Sequence, residues 1–165
     1  MSLSTTPVVI DPDRLRAIVD HAEAAFPQEC CGLLSGREAD GVIRIDDVHK
    51  SENLAAEPEE RFEVDPALRL GLQRTLRGDC RRVVGIYHSH PDGPAQPSPW
   101  DLAAAWEPDL VWLVVGVRYG QAVQCTSHVL VEANGEARFI EVPLTTTNAS
   151  PAAGRKPIIG GGLEF

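Results

Sequence analysis

The stretch that most constrains the fold of this chain lies at its centre. Residues 82–87 carry an apolar body, Val83-Val84-Gly85-Ile86, and run without a break into His88-Ser89-His90-Pro91. A short apolar run of this kind reads as a buried strand, and the polar end must emerge where side chains can meet one another or solvent. Residues i and i+2 of extended chain point to one side, so His88 and His90 face the same way. After the Gly- and Pro-rich loop 91–97, Ser98-Pro99-Trp100-Asp101 reads as a helix start, with Ser98 as cap, Pro99 at the first position and Asp101 at the third. Strand, loop and helix thus gather two imidazoles, a hydroxyl and a carboxylate.

The flanking segments predict helices and strands in mixed order. Asp11 and Pro12 signal a first helix over about 12–25, ending at Pro27. Cys31-Gly32-Leu33-Leu34-Ser35-Gly36 reads as a buried strand with 42–48 as its hairpin partner. Residues 50–61 form a polar surface loop, followed by a short strand at Phe62-Glu63-Val64. Asp65-Pro66 opens a second helix to about Arg77, and a third runs over about 99–106. Strands are expected at 110–117, 122–132 and 137–142, the last two joined at Asn134-Gly135. The fold class is α/β, a mixed sheet flanked by helices. One domain should span 1–144, and the Thr-, Ala-, Pro- and Gly-rich residues 145–165 should form a flexible tail.

Composition narrows the function classes. A net charge of −9 and the lack of any Lys/Arg cluster argue against a nucleic-acid partner. The longest apolar run, 110–117, is far too short to span a bilayer. No basic and apolar leader precedes the first element, so a cytoplasmic location is expected. The four cysteines form neither a CxxC pair nor a disulfide framework and read as reduced thiols.

An HxH pair alone is weak evidence: with five His in 165 residues, chance supplies about 0.15 of them. Adding Pro91, Ser98 and Asp101 at their offsets lowers this to the order of 10⁻⁵ to 10⁻⁴. His88, His90 and Asp101 would hold one Zn²⁺ per chain and leave a fourth position for water, an open site of the catalytic type. Zinc lowers the pKa of such a water to about 7. Amide hydrolysis also needs a proton carrier, and Glu29, beside the buried strand 31–36, is the best candidate. Ser98 would support the oxyanion. Spacing alone leaves a non-haem iron centre open. A zinc nucleobase deaminase would show HxE and PCxxC, which this chain lacks. His21, His49 and His128 have no partner at ligand spacing and read as structural, and Cys31 as a small buried hydrophobe.

These residues together resemble the JAMM (MPN+) metalloprotease signature, HxHPx₆Sx₂D with an upstream Glu, in the form found in short bacterial members. The likeness extends to Ser51-Glu52-Asn53 and to the string from Arg61 through Pro66. It implies the cytidine-deaminase-like fold of the MPN domain, zinc on His88, His90 and Asp101, Ser98 at the oxyanion, and Glu29 as general acid/base. It also implies a peptidase or isopeptidase acting after the C-terminal diglycine of a ubiquitin-like or sulfur-carrier protein. The alternative is a non-catalytic, metal-containing module that binds such a carrier. Gly160-Gly161-Gly162-Leu163-Glu164-Phe165 itself looks like an unprocessed terminus of that kind. Substrate selection is expected in the loops 50–61 and 91–97.

Overall fold

The computed structural model describes residues 6–105, 107–147 and 162–165. Their elements run β1 (Val8–Ile10), α1 (Pro12–Ala25), β2 (Cys31–Ala39), β3 (Val42–Ser51), α2 (Pro66–Thr75), β4 (Arg82–Pro91), α3 (Pro99–Ala104), β5 (Val111–Arg118), β6 (Gln121–Ala133), β7 (Glu136–Val142), β8 (Leu144–Thr146) and β9 (Leu163–Glu164). One mixed sheet takes the order β7-β6-β5-β4-β2-β3-β1-β8, with β9 added to β6. β4 lies antiparallel to β2 and parallel to β5.

All three helices start as the sequence predicts. Asp11, Asp65 and Ser98 cap them through their side chains, with Pro next in each. α1 covers one sheet face: Leu15, Ile18 and Ala22 pack with Ile10, Leu34, Tyr87, Leu113 and Val115. α2 covers the other more thinly, Leu68 and Leu72 meeting Leu33, Val83 and Ile86. It ends at Thr75 rather than Arg77, and no residue of it is fully buried. β4 departs from strict alternation. Leu34 pairs with Gly85 while Ser35 pairs with Val83, which leaves Val84 as a bulge. Beyond that bulge Tyr87 faces α1, whereas Ile86 shares the α2 side.

Several expectations are corrected. Phe62-Glu63-Val64 is not a strand; only an isolated bridge, Asn53↔Val64, forms there. α3 stops at Ala104, and Trp106 lies outside the described residues. β1 was not foreseen; it runs parallel to both β3 and β8. Thr145 and Thr146, expected in the flexible tail, belong to β8 beside Val9 and Ile10. Leu163 and Glu164, expected in the same tail, pair with Cys125 and Gln124, and Leu163 rests against the α1-side core. Strands this short carry no period of their own; burial of one apolar side chain and a few ladder bonds decide them. The remaining tail positions, 148–161, lie outside the described residues.

Candidate metal centre

His88 and His90 stand on the α2 side of β4, at its C-terminal end, and α3 brings Asp101 against them. His88 Nε2 and His90 Nε2 each lie 3.0 Å from Asp101 Oδ2, and 3.0 Å from one another. The His90 Nδ1–H donates to the Pro94 carbonyl at 2.9 Å, which fixes the ring with Nε2 toward the cluster. Asp101 is fixed by the capping box of α3. Its amide donates to Ser98 Oγ at 3.1 Å, and its Oδ2 accepts from the Ser98 amide at 2.7 Å. The cap uses the Ser98 oxygen as acceptor, so the hydroxyl hydrogen is not consumed by it.

Glu29 sits in the turn before β2, 4% exposed, with its Oε1 buried and without a hydrogen-bond partner. Its carboxylate, His88 and His90 offer ligand atoms within 4.8 Å of one another. Burial pushes its pKa up to about 7, with the His90 charge opposing and Asp101 assisting. Burial alone would also raise Asp101, but hydrogen bonds from both imidazoles, and the charge on His88, hold it well below the usual carboxylate range. His88, fully enclosed, is lowered by desolvation against the pull of Asp101. Burial would lower His90 too, yet Asp101 and the Pro94 carbonyl raise it.

Three electron-pair donors converging to 3.0 Å approach the edge of a tetrahedron, about 3.3 Å, around an ion bound at about 2.0–2.1 Å. Two nitrogens and one carboxylate oxygen form a donor set that zinc accepts, and Glu29, with an unpartnered oxygen, also stands where it could hold a metal together with His88 and His90. The five residues singled out from the sequence are therefore brought together. Others escaped it. Phe62 stacks on the His88 ring with centroids 4.3 Å apart, and Trp112 meets that ring edge-on at 5.7 Å. Ser89, between the two imidazoles, accepts the Cys30 amide on Oγ at 2.8 Å and so ties β4 to the Glu29 turn. His128 donates to Thr126 Oγ1 at 2.8 Å, and that hydroxyl donates to the Ala95 carbonyl beneath the 91–97 loop. Cys31 is buried under the carbonyls of Glu52 and Glu63, as an ordinary core thiol. From the first of the two expected selection loops, Arg61 lies over the ring of Trp100 in α3, 3.7 Å from its centroid.

With this geometry in hand, residues 12–129 match the family model described as prokaryotic homologs of the JAB domain. The chain belongs to this family. Its JAMM-type signature stands in the same stretch. Among curated relatives, tail tip assembly protein K of Escherichia phage N15 is 36% identical over 77% of this chain and 46% of its own length. The chain thus spans about half of that relative. The probable TtuB-protein conjugate cleaving protease of Thermus thermophilus is 38% identical over 59% of this chain and 64% of its own. The CysO-cysteine peptidase of Mycobacterium tuberculosis is 31% identical over 76% and 84%. A protein of Desulfitobacterium hafniense, solved in solution, superposes with a TM-score of 0.68 at 29% identity, covering 83% of this chain and 92% of that one. Among the described residues no helix is long and apolar enough to cross a membrane.

Proposed function

We propose that this chain is a cytoplasmic zinc metallopeptidase. It would carry one ion on His88, His90 and Asp101 and hydrolyse the bond after the C-terminal diglycine of a ubiquitin-like or sulfur-carrier protein. The observation that carries the reading is the convergence of two Nε2 atoms and one Oδ2 to 3.0 Å beside a buried, unpartnered Glu29 oxygen. Relatives named as a conjugate-cleaving protease and a peptidase support it. Zinc held there would lower the pKa of a bound water to about 7 and polarise a scissile carbonyl.

Each residue then has a task. Glu29, whose pKa lies near 7, is matched to taking the attacking water's proton and handing it to the leaving nitrogen. The Ser98 hydroxyl hydrogen is available to the developing oxyanion. His90 keeps its tautomer through Pro94. Phe62 and Trp112 shield His88 from bulk water and strengthen the electrostatics of the group. The test is to incubate zinc-loaded protein with a diglycine carrier bearing a C-terminal extension, alongside Glu29→Gln. Cleavage by the parent and a loss of at least about a hundredfold in the variant are expected. Equal rates would remove Glu29 from the mechanism. Carrier binding without cleavage in the parent would favour a non-catalytic module, a reading to which the phage assembly relative lends support.

A further inference from the structure

Glu29 raises a question of position. Its Oε1 has no hydrogen-bond partner, so the carboxyl must be aimed by the main chain that carries it. That main chain is held from two sides. On the β4 side, the Cys30 amide donates to Ser89 Oγ at 2.8 Å, and the Ser89 amide donates to the Cys30 carbonyl at 3.2 Å. On the other side stands the segment 53–64, whose ends meet at the Asn53↔Val64 bridge and at Leu54 N–H to the Glu63 carbonyl, 2.9 Å. The Glu29 amide donates into this segment, to the Pro58 carbonyl at 2.7 Å.

One side chain organises that second side. Asn53 Nδ2 donates to the Glu29 carbonyl at 3.1 Å and to the Arg61 carbonyl at 2.9 Å, with the Pro58 carbonyl at a longer 3.4 Å. Asn53 Oδ1 accepts the amides of Ala55 and Glu63, each at 3.0 Å. A carboxamide supplies two donors and a doubly accepting oxygen, and this site uses all of them. The carboxylate of Asp would keep the two acceptor bonds on one oxygen and turn its other oxygen toward three carbonyls. The same segment presents Phe62 to the His88 ring, so its placement governs both the acid/base turn and one wall of the metal group.

We infer that Asn53 is a positioning residue for the reaction: its carboxamide ties the main chain of Glu29 to the segment 53–64 and thereby sets the Glu29 carboxyl over the two imidazoles. The inference rests on the role proposed above for Glu29. A displacement of about 1 Å in a reacting group costs on the order of a hundredfold in rate, so the effect belongs in kcat.

The experiment uses the full zinc-loaded chain with Asn53→Ala and Asn53→Asp, each also combined with Glu29→Gln. Both single variants should keep parental zinc content and a KM within about twofold, and lose roughly ten- to a hundredfold in kcat. Asn53→Asp should be at least as damaging as Asn53→Ala although it preserves the loop's own acceptor bonds. In the Glu29→Gln background the Asn53 substitutions should cost less than about twofold more, because they act through the group already removed. Amide hydrogen exchange gives a readout that needs no turnover. The Glu29 amide should lose protection by at least about tenfold in the variants, while the Ser89 amide keeps its own. A parental kcat in Asn53→Ala, an equal loss in both backgrounds, or an unchanged Glu29 amide would overturn the inference. If the zinc-loaded parent cleaves no diglycine substrate, it is the peptidase reading that fails, and the Glu29 amide still decides whether Asn53 holds that turn.

Discussion

His128 shows how one buried side chain can be read for both structure and pH. Desolvation lowers its pKa from 6.5 to about 4, with the charges of His88 and His90 acting in the same direction against a favourable contribution from Ala95. Neutral His128 donates to Thr126, which in turn holds the loop behind His90. In the unfolded chain the ring takes a proton near pH 6.5, while in the folded chain it stays neutral until about pH 4. The unfolded state therefore binds more protons in that window. Its contribution to stability is fully present above pH 6.5 and is lost as the pH falls toward 4. His128→Gln keeps a donor for Thr126 without titrating. Urea unfolding at pH 7, 5.5 and 4.5 should show the parent losing up to about 3 kcal/mol relative to the variant over this range. Parallel curves for the two proteins would contradict this assignment. At this scale the sequence was informative where chemistry repeats at short spacing, as in His88, His90, Ser98 and Asp101. It placed Asn53 and Phe62 within a resemblance but gave neither them nor Trp112 a role, because their contacts to Glu29 and His88 span 24 or more positions and leave no local pattern.

Elements were legible in proportion to their length and their punctuation. The three Asp/Ser-Pro caps announce helices because a side-chain acceptor and a fixed φ act within one turn. The Asn134-Gly135 hairpin is legible for a similar reason: both residues adopt positive φ, 54° and 79°, as a two-residue turn requires. The bulge at Val84 was not, since it arises from pairing with β2, and β1, β8 and β9 depend on neighbours far along the chain. Glycine substitutions expose the difference between local and tertiary constraint. A Cβ at Gly32 of β2 would stand 2.4 Å from both the His49 carbonyl and the Tyr87 ring, so β2 would be forced off both flanking strands. Gly71 of α2 has ordinary helical φ and nothing within 4 Å. Gly32→Ala should cost about 1–3 kcal/mol or more. Gly71→Ala should stabilise by about 0.5–1 kcal/mol through the unfolded state. Thermal melts of the two variants should shift in opposite directions, and a shared sign would refute the contrast.

At the scale of the whole molecule, the proposed metal site joins two directly paired strands, β2 and β4, to a short helix. Glu29 precedes β2, the two imidazoles end β4, and Asp101 rides on α3, a helix of six residues too short to hold its place by propensity. Asp101 Oδ2 lies 3.0 Å from Nε2 of the buried His88, whose Nδ1 has no hydrogen-bond partner. An ion bound by the folded state alone stabilises it by RT ln(1 + [L]/Kd), about 2.7 kcal/mol at a hundred times Kd. Adding zinc to chelator-treated protein should therefore raise Tm progressively with concentration, by roughly 5–10 °C at that ratio for a domain of this size. Asp101→Asn removes the anionic ligand while leaving an amide oxygen to accept from the Ser98 amide. Its Tm without zinc should stay near that of the parent, and its response to zinc should largely vanish. Hydrogen exchange would locate the effect: zinc should protect the amides of α3 and of the Glu29 turn far more than those of β1 and β8, at the edge of the sheet away from α3. A uniform rise in protection, or a zinc response retained in Asp101→Asn, would place the ion elsewhere on the chain.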